Sequence, residues 1–232
     1  MENIYDNVRR VMEEIEEACV KFGRDPSEVT LMGVSKTQPV EKIREVYDAG
    51  VRLFGENRVQ ELVRKSDFFK ELGVPCHIIG QLQTNKVKYL PPLTDTIHSV
   101  DSLKLAKEIE KQYSKAGKTA NICLEINIGM EESKGGVEYD KAEELIYEIS
   151  ELKSIKVKGL MCVPPICEGE EVRKYFEKMH SLFVDISSKK IYNTDMCILS
   201  MGMSDDFKWA IAEGSTLVRV GTRLFGARNY NI

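Results

Sequence analysis

The chain has 232 residues, 42% hydrophobic and 30% charged, and a formal net charge of -4 at pH 7. This composition indicates one globular domain, residues 1–232, and no stretch is long and apolar enough to cross a membrane. The mild, interspersed charge lacks the basic surface of nucleic-acid-binding proteins and favours a small-molecule partner. The acidic segment 1–17 lacks the order of a secretion signal, so we expect a cytoplasmic protein.

The six cysteines predict neither disulfides nor a metal site. No C-x-x-C pair occurs, and Cys162 and Cys167 are too loosely spaced to argue for zinc without nearby histidines. We therefore expect no metal. Four cysteines lie in apolar, strand-like runs and are predicted to be buried, reduced thiols: Cys76, Cys123, Cys162 and Cys197.

A stripe of apolar residues at helical spacing precedes the first strand-like run and ends at Gly23. It predicts an extra N-terminal helix that covers the bottom of a barrel. The members of the stripe are Ile4, Val8, Val11, Ile15 and Cys19.

Short β-rich runs alternate with amphipathic helical patterns along the rest of the chain. About eight such units can be counted, which is the number in a closed (β/α)8 barrel. The strand-like runs are 29–35, 51–54, 75–79, 96–100, 121–126, 155–162, 196–199 and 216–220.

The ends of these runs separate a barrel from an open doubly wound sheet, which shows the same alternation. Nearly every run ends in polar or glycine residues. In a barrel those ends meet at one rim, where the active sites of this architecture lie. We therefore predict an α/β fold, a single (β/α)8 TIM barrel with an extra N-terminal helix. The glycine-flanked loop 129–136, with Glu131, Glu132 and Lys134, is a candidate lid over that rim.

Lys36 directly follows the first strand-like run and is itself followed by a loop. An amine at the edge of a hydrophobic wall loses hydration, which disfavours its charged form and makes it a nucleophile toward aldehydes. Because most lysines are solvated, this feature alone leaves an ordinary surface role open.

A phosphate site is predicted where the seventh and eighth runs end. Ser200 ends the seventh run, and Gly221 and Thr222 follow the eighth. Barrels commonly bind phosphate between these two loops, although Ser-x-Gly and Gly-Thr are also common turn sequences. Arg219 lies in a strand between two valines and requires a partner, for which an ion pair with Glu125 and a ligand contact are equally open. An amine, a phosphate site and a buried guanidinium together match pyridoxal 5'-phosphate.

The chain resembles the pyridoxal phosphate homeostasis proteins over almost its whole length. That family shares its barrel with the N-terminal domain of bacterial alanine racemases. Members usually have bulky aromatic residues next to the histidine of the third strand, where this chain has Cys76 and Ile78. The resemblance rests on segments 34–36, 54–57, 77–86, 127 with 131–136, 199–204 and 218–226.

The resemblance implies a protein of vitamin B6 homeostasis that holds pyridoxal 5'-phosphate reversibly on a lysine, as a Schiff base, without committed catalysis. The partners it implies are the cofactor, amino acids and cofactor-dependent apo-enzymes, and we expect a monomer. The implied cofactor-binding residues are Lys36 at the aldehyde, Ser200, Gly221 and Thr222 at the phosphate, Arg219 at the ring nitrogen and Asn57 nearby.

Two enzyme classes are alternatives to a binding protein. A racemase-like enzyme needs two proton carriers on opposite faces of the substrate, and only Lys36 is placed for one of them. In the racemases a second domain supplies a tyrosine, whereas this sequence ends at Ile232, and neither Tyr139 nor Tyr230 lies at a predicted strand end. A class I aldolase also uses a barrel lysine, and the position of this lysine on the first strand argues against it by analogy alone.

Overall fold

The structure, a computed structural model, describes residues 3–94, 96–131, 135–167 and 169–226. Parallel strands pair in chain order, and the last pairs with the first to close a barrel. The predicted barrel is thus confirmed, with strand bounds within two residues of the expected ones. The strands are β1 (Thr30–Val34), β2 (Leu53–Glu56), β3 (Cys76–Ile78), β4 (Thr96–Val100), β5 (Ala120–Ile126), β6 (Ile155–Cys162), β7 (Thr194–Ser200) and β8 (Leu217–Val220).

Helices surround the barrel and pack their apolar faces against the outer side of the strands. Among the described residues between β3 and β4, the helical segment is a short 3-10 helix, Thr84–Tyr89. Two more short 3-10 helices are Pro26–Glu28 and Tyr139–Lys141. The α-helices are α1 (Ile4–Lys21), α2 (Val40–Asp48), α3 (Val59–Leu72), α4 (Leu103–Lys115), α5 (Ala142–Ser150), α6 (Glu171–Ser188), α7 (Phe207–Ala212) and α8 (Thr222–Phe225).

The N-terminal helix α1 forms as predicted, and all five residues of its apolar stripe are buried. It does not lie across the bottom of the barrel, because its buried face packs against α2, α7 and α8 in the outer layer. Met12, Ile15 and Glu16 face the bottom, where they line a cavity of about 570 Å³ with the first residues of β1 and β2. The helix therefore completes the helical layer beside the short helix α8.

All six cysteines are free thiols. Cys76, Cys123 and Cys162 are buried as predicted, and burial raises the pKa of the Cys162 thiol to about 12. The prediction is wrong for Cys197, which is exposed. It lies in the first half of β7, where residues alternate between exposed and half-buried positions. Among the described residues, no helix is long and apolar enough to span a membrane.

Candidate functional site

A cavity of about 400 Å³ opens at the carboxyl ends of the strands, between β1, β2 and β8. It brings together five of the six predicted site residues, which come from distant parts of the chain. Those five are Lys36, Asn57, Arg219, Gly221 and Thr222, and the remaining lining includes Val34, Ile79, Val163, Met203, Ser204 and Asp205.

Backbone contacts bring the ends of β7, β8 and β1 together at this cavity. The Arg219 amide donates to the Gly202 carbonyl at 3.0 Å, which joins the β7 loop to β8. Gly202 has φ +93°, and a Cβ on it would lie 2.6 Å from the Cβ of Ala210, so the loop requires glycine there. On the other side, the Gly221 backbone approaches Val34, the residue two before Lys36.

The backbone on both sides of Lys36 is held by buried charged side chains of β2 and α3. The Lys65 ammonium donates to the Ser35 carbonyl at 2.8 Å, and the Glu61 carboxylate accepts from the Thr37 amide at 2.6 Å. Lys65 also pairs with Glu56 at 2.7 Å and with Glu61 at 3.3 Å. Lys36 is half-buried between these fixed neighbours, which restricts where its amine can lie.

Glu56 is fully buried at the centre of this network. Its Oε1 atom accepts from Lys65 and from the Ser35 hydroxyl, both at 2.7 Å, whereas its Oε2 atom has no hydrogen-bond partner. Burial raises the pKa of Glu56 above its usual value, and Lys65 partly offsets this. A buried carboxylate with one unpaired oxygen is costly, so its retention depends on Lys65.

Asn57 follows β2 and reaches the cavity because Gly80 leaves space for it. A Cβ on Gly80 would lie 2.5 Å from the Asn57 carbonyl oxygen, which no side chain tolerates. Gly80 and Asn57 therefore form a close backbone contact between the ends of β2 and β3, and Asn57 forms one wall of the cavity.

Arg219 extends through the barrel interior to the cavity, and its guanidinium is fixed by hydrogen bonds to neighbouring strands. Its Nη1 donates to the carbonyl and the hydroxyl of Ser200, both at 2.7 Å, and its Nη2 donates to the Cys162 carbonyl at 2.8 Å. The predicted alternative, an ion pair with Glu125, does not form among the described residues. Burial lowers the pKa of Arg219, but a guanidinium remains charged at neutral pH.

Ser200 is fully buried and points into the barrel rather than into the cavity. Its hydroxyl lies 3.1 Å from Nδ1 of His98, whose Nε2 lies 3.0 Å from Nδ1 of His77. Burial holds the pKa of His98 well below its usual 6.5, so this ring is neutral. A polar chain therefore runs from Arg219 through Ser200 and His98 to His77.

Sequence reasoning missed several residues that support the site, although two signals pointed to them. Lys65 lies on the apolar stripe of α3 with Leu62 and Phe69, and a charge on a buried stripe requires a partner. His98 lies in β4, whose five residues are all buried. Ser204, in the loop after β7, lines the cavity together with Thr222.

The two tyrosines considered as proton carriers do not line this cavity among the described residues. The ammonium of Lys178 lies 4.2 Å from the ring centroid of Tyr139, and Tyr230 is outside the described residues.

The candidate lid 129–136 is described only in part, since residues 132–134 are not among the described ones. The start of that loop is ordered by Asn127, whose side chain donates to the Glu131 carbonyl at 2.9 Å and accepts from the Glu131 amide at 3.1 Å.

Comparison with known proteins gives full-length relatives. The family model described as alanine racemase, N-terminal domain, matches residues 2–229. The pyridoxal phosphate homeostasis protein of Aquifex aeolicus is 46% identical, over 98% of this chain and 100% of its own length. The protein of that name from Escherichia coli strain K12 is 41% identical, over 100% of this chain and 99% of its own.

Solved structures of similar fold agree with these sequence comparisons. PipY of Synechococcus elongatus, solved with pyridoxal phosphate bound, superposes with a TM-score of 0.79 at 33% identity, over 91% of this chain and 100% of that chain. An alanine racemase of Clostridium difficile has the same fold, with a TM-score of 0.71 at 19% identity over 97% of this chain and 58% of that chain. The chain therefore belongs to the family of pyridoxal phosphate homeostasis proteins, built on the alanine racemase N-terminal domain.

Proposed function

We propose that this protein binds pyridoxal 5'-phosphate reversibly, as a Schiff base on Lys36, and serves vitamin B6 homeostasis without committed catalysis. The observation that carries the proposal is the meeting of Lys36, Arg219, Gly221 and Thr222 in one cavity of about 400 Å³. A cavity of this size suits a small cofactor, and its amine, guanidinium and hydroxyl match the aldehyde, ring nitrogen and phosphate. The cofactor bound in PipY supports the same assignment.

The phosphate is assigned to Gly221 and Thr222, with Ser204 as a further hydroxyl. The amides of Leu224 and Phe225 donate to the Gly221 carbonyl, whereas those of Thr222 and Arg223, at the start of α8, lie where a helix offers its amides to an oxyanion. The Ser200 hydroxyl is bonded to Arg219 instead. We therefore assign to Ser200 the role of orienting the guanidinium, a change from the phosphate contact predicted by sequence.

Arg219 favours binding over catalysis. A guanidinium donates hydrogen bonds but does not give up its proton, so the pyridine nitrogen it contacts stays neutral. A neutral ring withdraws electrons poorly from a carbanion on a bound amino acid, which weakens catalysis without abolishing it. Bound cofactor supplies an electrophilic aldehyde at Lys36, and the residues around it hold and orient that group.

The described lining of the cavity also offers few proton carriers. Lys36 is one candidate. The only carboxylate among the described lining residues belongs to Asp205, which is exposed to solvent. Racemisation requires two carriers on opposite faces of the substrate carbon. Amino acids are thus expected to react slowly at this site, and cofactor-dependent apo-enzymes are the recipients we propose for the bound cofactor.

Borohydride reduction tests the cofactor and the lysine together. Purified protein incubated with pyridoxal 5'-phosphate should turn yellow, and reduction should fix the cofactor on the peptide that contains Lys36. The variant Lys36→Ala should lose this labelling, whereas Lys104→Ala, which removes an exposed lysine of α4, should retain it. Unchanged colour and labelling in Lys36→Ala would contradict the proposal.

The racemase-like alternative is tested by incubating the cofactor-loaded protein with L-alanine and following D-alanine by chiral chromatography. We expect no turnover above about 1 per second, which is already the lower end of ordinary enzymatic rates. Faster racemisation that disappears in Lys36→Ala would assign the protein to the enzymes.

A further inference from the structure

A second cavity lies beside the one that contains Lys36 and Thr222, which we call the cofactor cavity. It lies between the first turns of α3 and the 3-10 helix Thr84–Tyr89. Its volume is about 540 Å³, within the range of small-molecule sites, and the two cavities share Asn57 as a wall. We call it the cationic cleft, because its polar lining consists of three cations and four amides: Arg58, Arg64, Lys86, Asn57, Gln60, Gln81 and Gln83.

The three cations of the cleft lack charged partners. Within the described parts of the chain, the side chains of Arg58, Arg64 and Lys86 make no ion pair or hydrogen bond, and no carboxylate lines the cleft. Several other surface cations are paired, for example Arg44 with Glu71. A local excess of positive charge on a chain of net charge -4 is repulsive unless an anion or solvent compensates it.

Concavity and amide groups distinguish this cluster from an ordinary solvated surface. The cations belong to two different elements, α3 and the 3-10 helix, and converge on one cavity instead of pointing apart. Arginine presents a planar set of donors that matches phosphate oxygens, and the amide N–H groups add neutral donors beside it. Such a lining can satisfy several oxygens of one anion at once.

We propose that the cationic cleft binds a small molecule carrying a phosphate or pyrophosphate group. The rest of the ligand has a place as well, because the cleft continues along α3 into a cavity of about 430 Å³ that shares Arg64 and Lys86. That extension is lined by Val63 and Tyr89, which are 43% and 45% exposed. The arrangement therefore suits an organic phosphate with an apolar or aromatic body.

Inorganic pyrophosphate is the probe for the charged part of the ligand. We would titrate it calorimetrically into cofactor-free protein at low ionic strength and compare the double variant Arg64→Gln/Lys86→Gln with wild type. Loss of two charge-assisted contacts should weaken the binding about 10-fold to 100-fold. The control Lys70→Gln/Lys88→Gln removes the same charge from the same two elements outside the cleft lining and should change the affinity less than about 2-fold.

Three results would overturn the proposal: no pyrophosphate binding by wild type, an equal loss in both double variants, or a loss confined to Thr222→Val, which would place the anion in the cofactor cavity. Cofactor labelling at Lys36 is measured in the same Arg64→Gln/Lys86→Gln protein and should persist. If wild-type protein fails to take up the cofactor, the function proposed above fails, while the pyrophosphate titration still decides the fate of the cleft.

Discussion

Ser200 affects the site although its side chain does not line the cavity. Its hydroxyl and carbonyl both accept from Nη1 of Arg219, and its hydroxyl also meets His98. Because a buried guanidinium with an unmet donor is costly, this serine helps to fix where Arg219 points, together with the Cys162 carbonyl. The orientation of Arg219, which we propose to contact the ring nitrogen, should therefore depend on a residue inside the barrel.

Replacing Ser200 with alanine should lower both stability and cofactor affinity. Loss of a hydrogen bond to a charged group costs about 1.5–3 kcal/mol, and the guanidinium is then held only by the carbonyls of Ser200 and Cys162. Urea unfolding and absorbance titration with pyridoxal 5'-phosphate measure the two effects. Ser150→Ala is the control, since this buried hydroxyl donates to the Tyr147 carbonyl within α5, far from the cavity. Unchanged cofactor affinity in Ser200→Ala would show that Arg219 does not act through this contact.

Single residues of the site differ in how far the sequence reveals them. Lys36, Gly221 and Thr222 were predictable, because strand ends of a barrel converge and each of these residues follows a strand. The direction of the Ser200 side chain was not, since the chain turns into the loop at that position. Partners such as Glu56 with Lys65 depend on which helix faces which strand, and spacing along the chain does not determine this.

At the scale of elements, α3 holds the end of β1 through one buried lysine. Lys65→Met should destabilise the fold by about 3–5 kcal/mol, because it leaves the Glu56 carboxylate buried with only the Ser35 hydroxyl as a partner. Thermal or urea unfolding measures the loss, and Lys36 labelling should weaken in parallel.

Lys70→Met provides the matched control on the same helix. Lys70 is exposed and lies 3.6 Å from Asp67, so its removal should cost less than about 1 kcal/mol. The double variant Glu56→Gln/Lys65→Met should recover part of the stability, because it removes the buried charge. Equal destabilisation by Lys65→Met and Lys70→Met would refute a role for the buried network.

Helix α1 is joined to α7 and α8 by Glu14. Its carboxylate pairs with Arg223 and, at 2.7 Å, with Lys208, and the hydrogen bond from Arg223 is the main cause that lowers the pKa of Glu14 from 4.5 to about 2. A folded-state pKa below the unfolded one gives stability that is present above about pH 4.5 and is lost as the pH falls toward 2.

Glu14→Gln should therefore unfold at a lower temperature than wild type at pH 7, and the two melting temperatures should converge between pH 4.5 and 2. Circular dichroism melts across that range measure the difference. Glu13→Gln, which removes an exposed carboxylate 3.8 Å from Arg9, should show little difference at any pH. A difference in melting temperature between wild type and Glu14→Gln that persists at pH 2 would mean that the charge of Glu14 is not what stabilises the position of α1.

Two elements depart from a regular strand-helix repeat for reasons visible in the chain. The segment after β3 forms a short 3-10 helix because Pro91 and Pro92 follow it and prevent a longer regular helix. Helix α8 has four residues and ends at Gly226, which leaves an apolar side of the barrel for α1 to cover. The existence of α1 could be predicted from its apolar stripe. Its packing against α8 could not be predicted, because nothing in the stripe specifies a partner.

Across the whole molecule, the cofactor cavity spans the seam where the barrel closes. β1 and β8 pair directly, so residues near the start of the chain lie next to residues near the end of the described part. A ligand held by Lys36 on one side and by Gly221 and Thr222 on the other joins the two strands. Its binding energy should therefore stabilise the barrel as a unit rather than one loop.

Pyridoxal 5'-phosphate at 100 times its dissociation constant should stabilise the native state by about 2.7 kcal/mol, which corresponds to about 5–10 °C in melting temperature for a chain of this size. Both effects are measured by differential scanning calorimetry. Pyridoxine 5'-phosphate, which has an alcohol in place of the aldehyde, distinguishes the contribution of the covalent bond from that of the phosphate and ring contacts. Wild type should respond more strongly to the aldehyde, and Lys36→Ala should respond weakly and equally to both, because only phosphate and ring contacts remain. If Lys36→Ala still distinguishes aldehyde from alcohol, another group forms the covalent bond and the two strands are not joined through Lys36.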